Sequence, residues 1–261
     1  MSGERPAAVA GTFYPADPSE LARVVDAAVA AATATEPIPK ALIVPHAGYE
    51  YSGPIAGSGY AQLAAARDRI RRVVLVGPAH RVPLRGLAVS GAGAFATPLG
   101  RVEVDDDARR RVLVLPQVRI DDEAHAREHS LEVHLPFLQR VLRSFRVLPL
   151  VVGEAESTVV ARVLDAVWGG PETAVVVSTD LSHDHDYETA ADLDRRTARA
   201  IMAARPDALA PEAACGASAV RGLLETVRRR GLRVRLLDLR SSGDTSDLRD
   251  AVVGYGAFAV A

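Results

Sequence analysis

The sequence predicts one α/β domain over residues 1–261, with a largely parallel or mixed central sheet flanked by helices. Three observations carry this. Short β-branched runs alternate with longer amphipathic stretches along the chain. The runs end abruptly on Gly, Pro or polar residues, as strands buried on both faces do. No repeat or low-complexity linker divides the 261 residues, and 48% of them are hydrophobic, enough for a large core.

The elements follow in order. Residues 18–32 carry a helical pattern, and ALIVP (41–45) is the first buried strand. A helix is expected over 54–66, then the strand RVVLVGP (72–78). GLAVSGAG, ATPLG and RVEVD (86–105) read as short antiparallel strands inserted in the fold. FRVLPLVVG (145–153) and TAVVVSTD (173–180) are strands, separated by a helix over 156–168. Helices are expected over 187–204 and 216–230, the second ending on RRRG, where cations complement the helix dipole. LRVRLLDL (232–239) and AVVGYGAFAV (251–260) are strands, the last an edge or an antiparallel partner.

Composition excludes several classes. A formal charge of -2 with 25% charged residues argues against nucleic-acid or anionic-membrane partners. No apolar run reaches the roughly 18 residues that span a bilayer. MSGERPAAVAGTFYP has no apolar leader segment. Cys215 is the sole cysteine, so no intramolecular disulfide forms and a cytoplasmic setting is expected.

Open α/β sheets bind ligands beyond the carboxyl ends of their strands. Here several strands run into ligand-type residues. ALIVP leads to His46, RVVLVGP to His80, TAVVVST to Asp180 and His183, and LRVRLLDLRSSG to Asp244. Imidazole with carboxylate is the donor set of Zn, Fe and similar divalent ions, and two His with one carboxylate leave positions open. HAREH (125–129) is denser and matches the inverted zinc-peptidase pattern H-x-x-E-H. Its context is poor: Ser130 reads as a helix N-cap and Pro136 interrupts any helix from 125 to 142. His125 and His134 therefore read as loop and helix residues, with Glu128 and His129 left as cleft-wall candidates. Cys215, before the helix over 216–230, reads as a small packed residue or as a thiol activated by the helix N-terminus. Phe13, Tyr14, Tyr49 and Tyr51 are candidates to line a pocket or to pack.

Several longer motifs stand in order along the chain: RPAAVAGTFYP (5–15), PHAGYEYSG (45–53), GPAH (77–80), TPLG (97–100), EHSLEVHLPF (128–137), STDLSH (178–183), CG (215–216), SSGD (241–244) and VGY (253–255). With these the chain resembles the Memo family, called AmmeMemoRadiSam system protein B in many prokaryotes. That family looks like the LigB-type class III extradiol dioxygenases in fold. The resemblance implies His46 and His80 as metal ligands, Asp244 as the third, His183 as acid/base and Asp180 beside it. Glu128, His129, Tyr49 and Cys215 would form a second shell or cleft. Animal members carry a cysteine at the third ligand position, read here as Asp244. A carboxylate there favours Fe(II) first, with Zn(II), Mn(II) or Cu as alternatives. The expected function is a metal-dependent redox enzyme acting on an unknown small molecule. Its alternatives are a non-catalytic metal-binding protein working with AMMECR-domain and radical-SAM proteins, and a zinc hydrolase centred on HAREH.

Overall fold

The computed structural model describes residues 3–261. Eleven strands run in chain order: β1 (Glu4–Arg5), β2 (Ala41–Val44), β3 (Arg72–Pro78), β4 (Leu87–Val89), β5 (Ala94–Thr97), β6 (Gly100–Glu103), β7 (Val118–Ile120), β8 (Arg146–Val152), β9 (Thr173–Ser178), β10 (Val234–Ser241) and β11 (Gly254–Val260). The α-helices are α1 (Pro18–Ala30), α2 (Tyr49–Tyr60), α3 (Asp106–Leu113), α4 (Asp122–Ala126), α5 (His129–Glu132), α6 (Leu135–Val141), α7 (Ser157–Val167), α8 (Tyr187–Met202), α9 (Ala217–Arg230) and α10 (Ser242–Thr245).

Eight strands form one mixed sheet in the order β10-β11-β2-β9-β3-β8-β4-β7. Its centre, β2-β9-β3-β8, is parallel. These are the four runs whose apolar residues are continuous, because both faces are covered. Alternate residues serve opposite layers. Leu42, Val44, Val73 and Leu75 pack in one core with Tyr60 and Phe137. Ile43, Val74, Val76 and Leu148 pack in the other with Leu164 and Leu223. A separate three-stranded sheet, β1-β5-β6, accounts for part of the 86–105 insertion.

Local chemistry explains the element ends. Asp17 caps α1 by accepting from the Ser19 and Glu20 amides, and Pro18 opens the helix where its missing N–H costs nothing. Helix α9 stops at Gly231, in the left-handed region at φ 65°, after Arg228, Arg229 and Arg230.

Three expectations change. The helix expected over 54–66 begins at Tyr49, whose amide bonds the Phe13 carbonyl, and residues 61–66 wind as a 3₁₀ turn. Pro54 lies inside this helix rather than before it. Of the two readings of the C-terminal strand, the antiparallel partner holds and the edge does not: β11 lies between β10 and β2, antiparallel to both, and β10 is the edge. Within 86–105, β5 and β6 are antiparallel, but β4 leaves them to join β8 in the large sheet.

Among the described residues, no helix is long and apolar enough to cross a membrane.

Candidate metal centre

The parallel strands β2, β3 and β9 all finish at one edge of the sheet. His46 follows β2 by two residues, His80 follows β3 by two, and Asp180 follows β9 by two. Helix α9 brings a fourth group. Gly216 seats that helix so close to β9 that a Cβ there would lie 2.5 Å from the Ser178 carbonyl oxygen. The approach places Cys215 Sγ 3.3 Å from His46 Nε2. Donor atoms of His46, His80 and Cys215 all lie within 4.8 Å of one another.

Both ring systems are fastened from behind. His46 Nδ1 is 2.6 Å from Ser178 Oγ. His80 Nδ1 is 2.9 Å from Glu128 Oε1, and the His80 amide donates to Glu128 Oε2 at 2.6 Å. Each imidazole is thereby held by its Nδ1 and has Nε2 free, the arrangement typical of metal-binding histidines. Glu128 is itself buried and also accepts from the Ser130 amide. Burial alone would raise its carboxyl, but the His80 and Ser130 donors prevail and hold it down at about 2.

The donor set fits a tetrahedral metal. Bond lengths of about 2.0 Å to N and 2.3 Å to S put tetrahedral N and S donors roughly 3.5 Å apart, close to the 3.3 Å between His46 Nε2 and Cys215 Sγ. Burial holds His46 neutral, well below the ordinary imidazole range. Burial, and then the Asp180 carboxylate, push the Cys215 thiol up to about 12. The unloaded site therefore holds a neutral thiol, and metal binding must displace its proton.

Asp244, expected as the third ligand, is not among the residues whose donor atoms meet here. Its carboxylate accepts from the Ser241 amide at 2.8 Å and from the Tyr187 hydroxyl at 2.6 Å, closing a capping box on α10. A short local hydrogen-bond motif claims the side chain. The third donor atom near His46 and His80 is the thiol of Cys215, and burial, which raises its pKa, speaks against a thiol activated by the helix N-terminus.

The other expected residues divide. Asp180 is buried, accepts from the His46 amide at 2.7 Å, and lies 3.8 Å from His46 Nε2 through its second oxygen. Burial raises its pKa to about 6. His183 is exposed, and its Nδ1 bonds the Leu181 carbonyl at 2.8 Å rather than Asp180. His129 joins the cluster: its ring stacks on His80 at 4.7 Å and stands 5.4 Å from His46 and 4.6 Å from Phe13. Tyr49 is buried between Tyr14 and Phe137, its hydroxyl donating to the Val133 carbonyl, and with Phe13 and Tyr14 it lines a separate pocket of about 300 Å³.

HAREH does not form the inverted zinc-peptidase site, although its Glu128 and His129 make a second group with His80 whose donor atoms lie within 4.8 Å of one another. His125 lies in α4 and His129 opens α5, so they share no helix face. His125 Nε2 meets the Ala88 carbonyl at 3.1 Å, and burial lowers its pKa to about 4. The N-cap of α5 is Glu128, not Ser130. Ser130 instead donates from Oγ to the Pro78 carbonyl, and Gly77 makes room, since a Cβ there would lie 2.8 Å from that Oγ.

Sequence reasoning missed Ser178 and Ser130 and left His134 outside the site. The available signal was the polar residue ending the apolar run AVVV (174–177). Beside Cys215 opens a cavity of about 750 Å³, with Pro78, Val82 and Leu84 on its wall and Arg85, Arg119 and Ser218 also lining it. Its size suits a small organic ligand.

The family model described as "Memo-like protein" matches residues 5–259. A "MEMO1 family protein" from Aquifex aeolicus is 36% identical over 96% of this chain and 97% of its own length. Relatives of the same description from Aeropyrum pernix and Ignicoccus hospitalis are also 36% identical, over 96% and 97% of this chain and 97% of each relative. Among solved structures, the uncharacterized protein JW3007 from Escherichia coli K12 aligns with a TM-score of 0.52 at 15% identity, over 84% of this chain and 99% of its own, a likeness of fold alone.

Proposed function

Since the chain belongs to the Memo-like family, matched over residues 5–259, we propose that it is a metal-dependent redox enzyme holding one divalent ion on His46 Nε2, His80 Nε2 and Cys215 Sγ. The observation that carries this reading is the convergence of those three side chains, from two strand ends and one helix start, with donor atoms within 4.8 Å. Three protein donors leave a tetrahedral ion one position for substrate.

The thiolate alters the choice of metal. Two imidazoles and a thiolate suit copper, iron or zinc; the argument from a carboxylate ligand that put Fe(II) first does not extend to this donor set. A bound ion of this kind supplies Lewis acidity and, for iron or copper, one-electron chemistry.

The remaining groups are the chain's own. A small molecule would approach the centre from the cavity beside Cys215, the one proposed ligand on its wall. Asp180, buried beside His46 and bonded to its amide at 2.7 Å, is the carboxylate we assign to accept a proton from a substrate at the centre. His183, exposed and tied at Nδ1 to the Leu181 carbonyl, is the imidazole we assign to exchange that proton with solvent. The covering segment around Phe13 packs on His129 and limits water on that side.

The test is metal content after anaerobic purification. Near one equivalent is expected in the parent, with loss in His46→Ala and Cys215→Ala and retention in Asp244→Ala and His125→Ala. Oxygen consumption with small phenols and diols then distinguishes an oxidase or oxygenase from a metal-binding protein without turnover.

A further inference from the structure

Behind His46 lies a hydroxyl with three partners. Ser178 Oγ is 2.6 Å from His46 Nδ1, 2.8 Å from His134 Nε2 and 2.6 Å from the Ser130 carbonyl oxygen. Ser178 and His134 are wholly or almost wholly buried, and His46 is 2% exposed. A hydroxyl has one proton and two lone pairs. The Ser130 carbonyl can only accept. Two oxygens 2.6 Å apart with no proton between them would repel, so the hydroxyl proton points at Ser130. Both lone pairs of Oγ are then left for donors, and both histidines must present N–H.

We infer that Ser178 is a positioning residue that sets the tautomer of His46, fixing the proton on Nδ1 and leaving the Nε2 lone pair on the side of Cys215. The same oxygen fixes the opposite tautomer in His134, which carries its proton on Nε2. His134 Nδ1 has no hydrogen-bond partner among the described residues, consistent with a bare nitrogen there. The fold supplies the alignment: Ser178 closes β9 opposite Val44 of β2, two residues before His46. Ser130 reaches the same oxygen because Gly77 lets α5 lie against β3. The EHSLEVHL stretch thus acts on the centre from behind, through Ser130 and His134 as well as through Glu128.

The consequence for metal rests on the proposed ligand set; the tautomer does not, since it belongs to the unloaded chain. The test combines both. Long-range ¹H–¹⁵N spectra of metal-free protein, with His46 assigned from a His46→Asn sample, report which nitrogen is protonated. The Nδ1–H form is expected for His46 and the Nε2–H form for His134. In Ser178→Ala, His46 should lose its single tautomer, and Zn(II) affinity by chelator competition should fall by roughly 10- to 100-fold. Ser178→Thr, which keeps the hydroxyl, should retain the parental His46 spectrum. An Nε2–H form of His46 in the parent overturns the inference, and so does Ser178→Ala with the parental tautomer and zinc affinity. If the tautomers come out as expected and change in Ser178→Ala while the parent binds no zinc, the inference stands and the metal reading falls.

Discussion

Glu132→Gln should unfasten the N-terminal segment and cost the fold several kcal/mol. Glu132 is fully buried. One oxygen accepts from the Val9 amide at 3.0 Å and the Tyr14 hydroxyl at 2.5 Å. The other accepts from the Ala8 amide at 2.8 Å and pairs with the Arg5 guanidinium. Glutamine must place an NH₂ at one of these oxygens. At the first it faces the Val9 amide; at the second it faces Arg5 and the Ala8 amide. Neither flip satisfies every donor, and each unsatisfied buried donor costs about 1–3 kcal/mol. Arg5, itself 5% exposed, is left without its charged partner, and breaking a buried pair costs about 3–5 kcal/mol in all. At roughly 2–4 °C per kcal/mol for a chain of this size, Tm should fall by on the order of 10 °C. Differential scanning calorimetry measures it, and urea unfolding gives the free energy. A loss under about 1 kcal/mol would refute the reasoning, showing that Glu132 does not anchor residues 5–14.

Other outcomes follow from the same geometry. His125 is 1% exposed and titrates near 4, so between pH 6.5 and 4 the unfolded chain binds a proton that the native chain does not. Its contribution to stability is present above pH 6.5 and is lost as pH falls towards 4, by up to about 3 kcal/mol; His125→Asn should flatten that slope in urea titrations at fixed pH values and leave metal content unchanged. Metal uptake should release the Cys215 thiol proton, seen as buffer-dependent heats in calorimetry. Affinity should rise about tenfold per pH unit near neutrality, and Cys215→Ala should abolish that slope. Asp244→Ala should cost about 1 kcal/mol through loss of the α10 cap, with chelator-competition affinity unaltered. Gly77→Ala should lower Tm and weaken zinc binding together, because its Cβ would lie 2.8 Å from Ser130 Oγ and displace α5.

Much of the fold was legible. The four parallel strands announce themselves as β-branched runs, and helices α1, α7, α8 and α9 follow from periodicity. Elements that read poorly are those whose conformation is set by distant partners. Helix α2 starts at Tyr49 because the Phe13 carbonyl receives its amide, a contact between segments that periodicity cannot register. The short helices α4 and α5 hold few residues each and owe their place to Arg5, Glu128 and Glu132. At the site, His46, His80 and Asp180 were visible because each follows a strand and the strands are parallel. Cys215 was undervalued because it precedes a helix instead, and only the packing of Gly216 on β9 brings it in. Asp244 was overvalued for the complementary reason: it follows β10, but that strand is the antiparallel edge, and the local capping box takes its carboxylate. Ser178 gave a faint signal, one hydroxyl ending a buried apolar run.

X-ray absorption at the metal edge of the loaded protein tests the central claim most directly. One sulfur scatterer at about 2.3 Å with nitrogen or oxygen neighbours near 2.0 Å is expected, lost in Cys215→Ser and unchanged in Asp244→Asn. A spectrum without sulfur, or one that changes in Asp244→Asn and not in Cys215→Ser, would contradict the assignment of the centre to His46, His80 and Cys215.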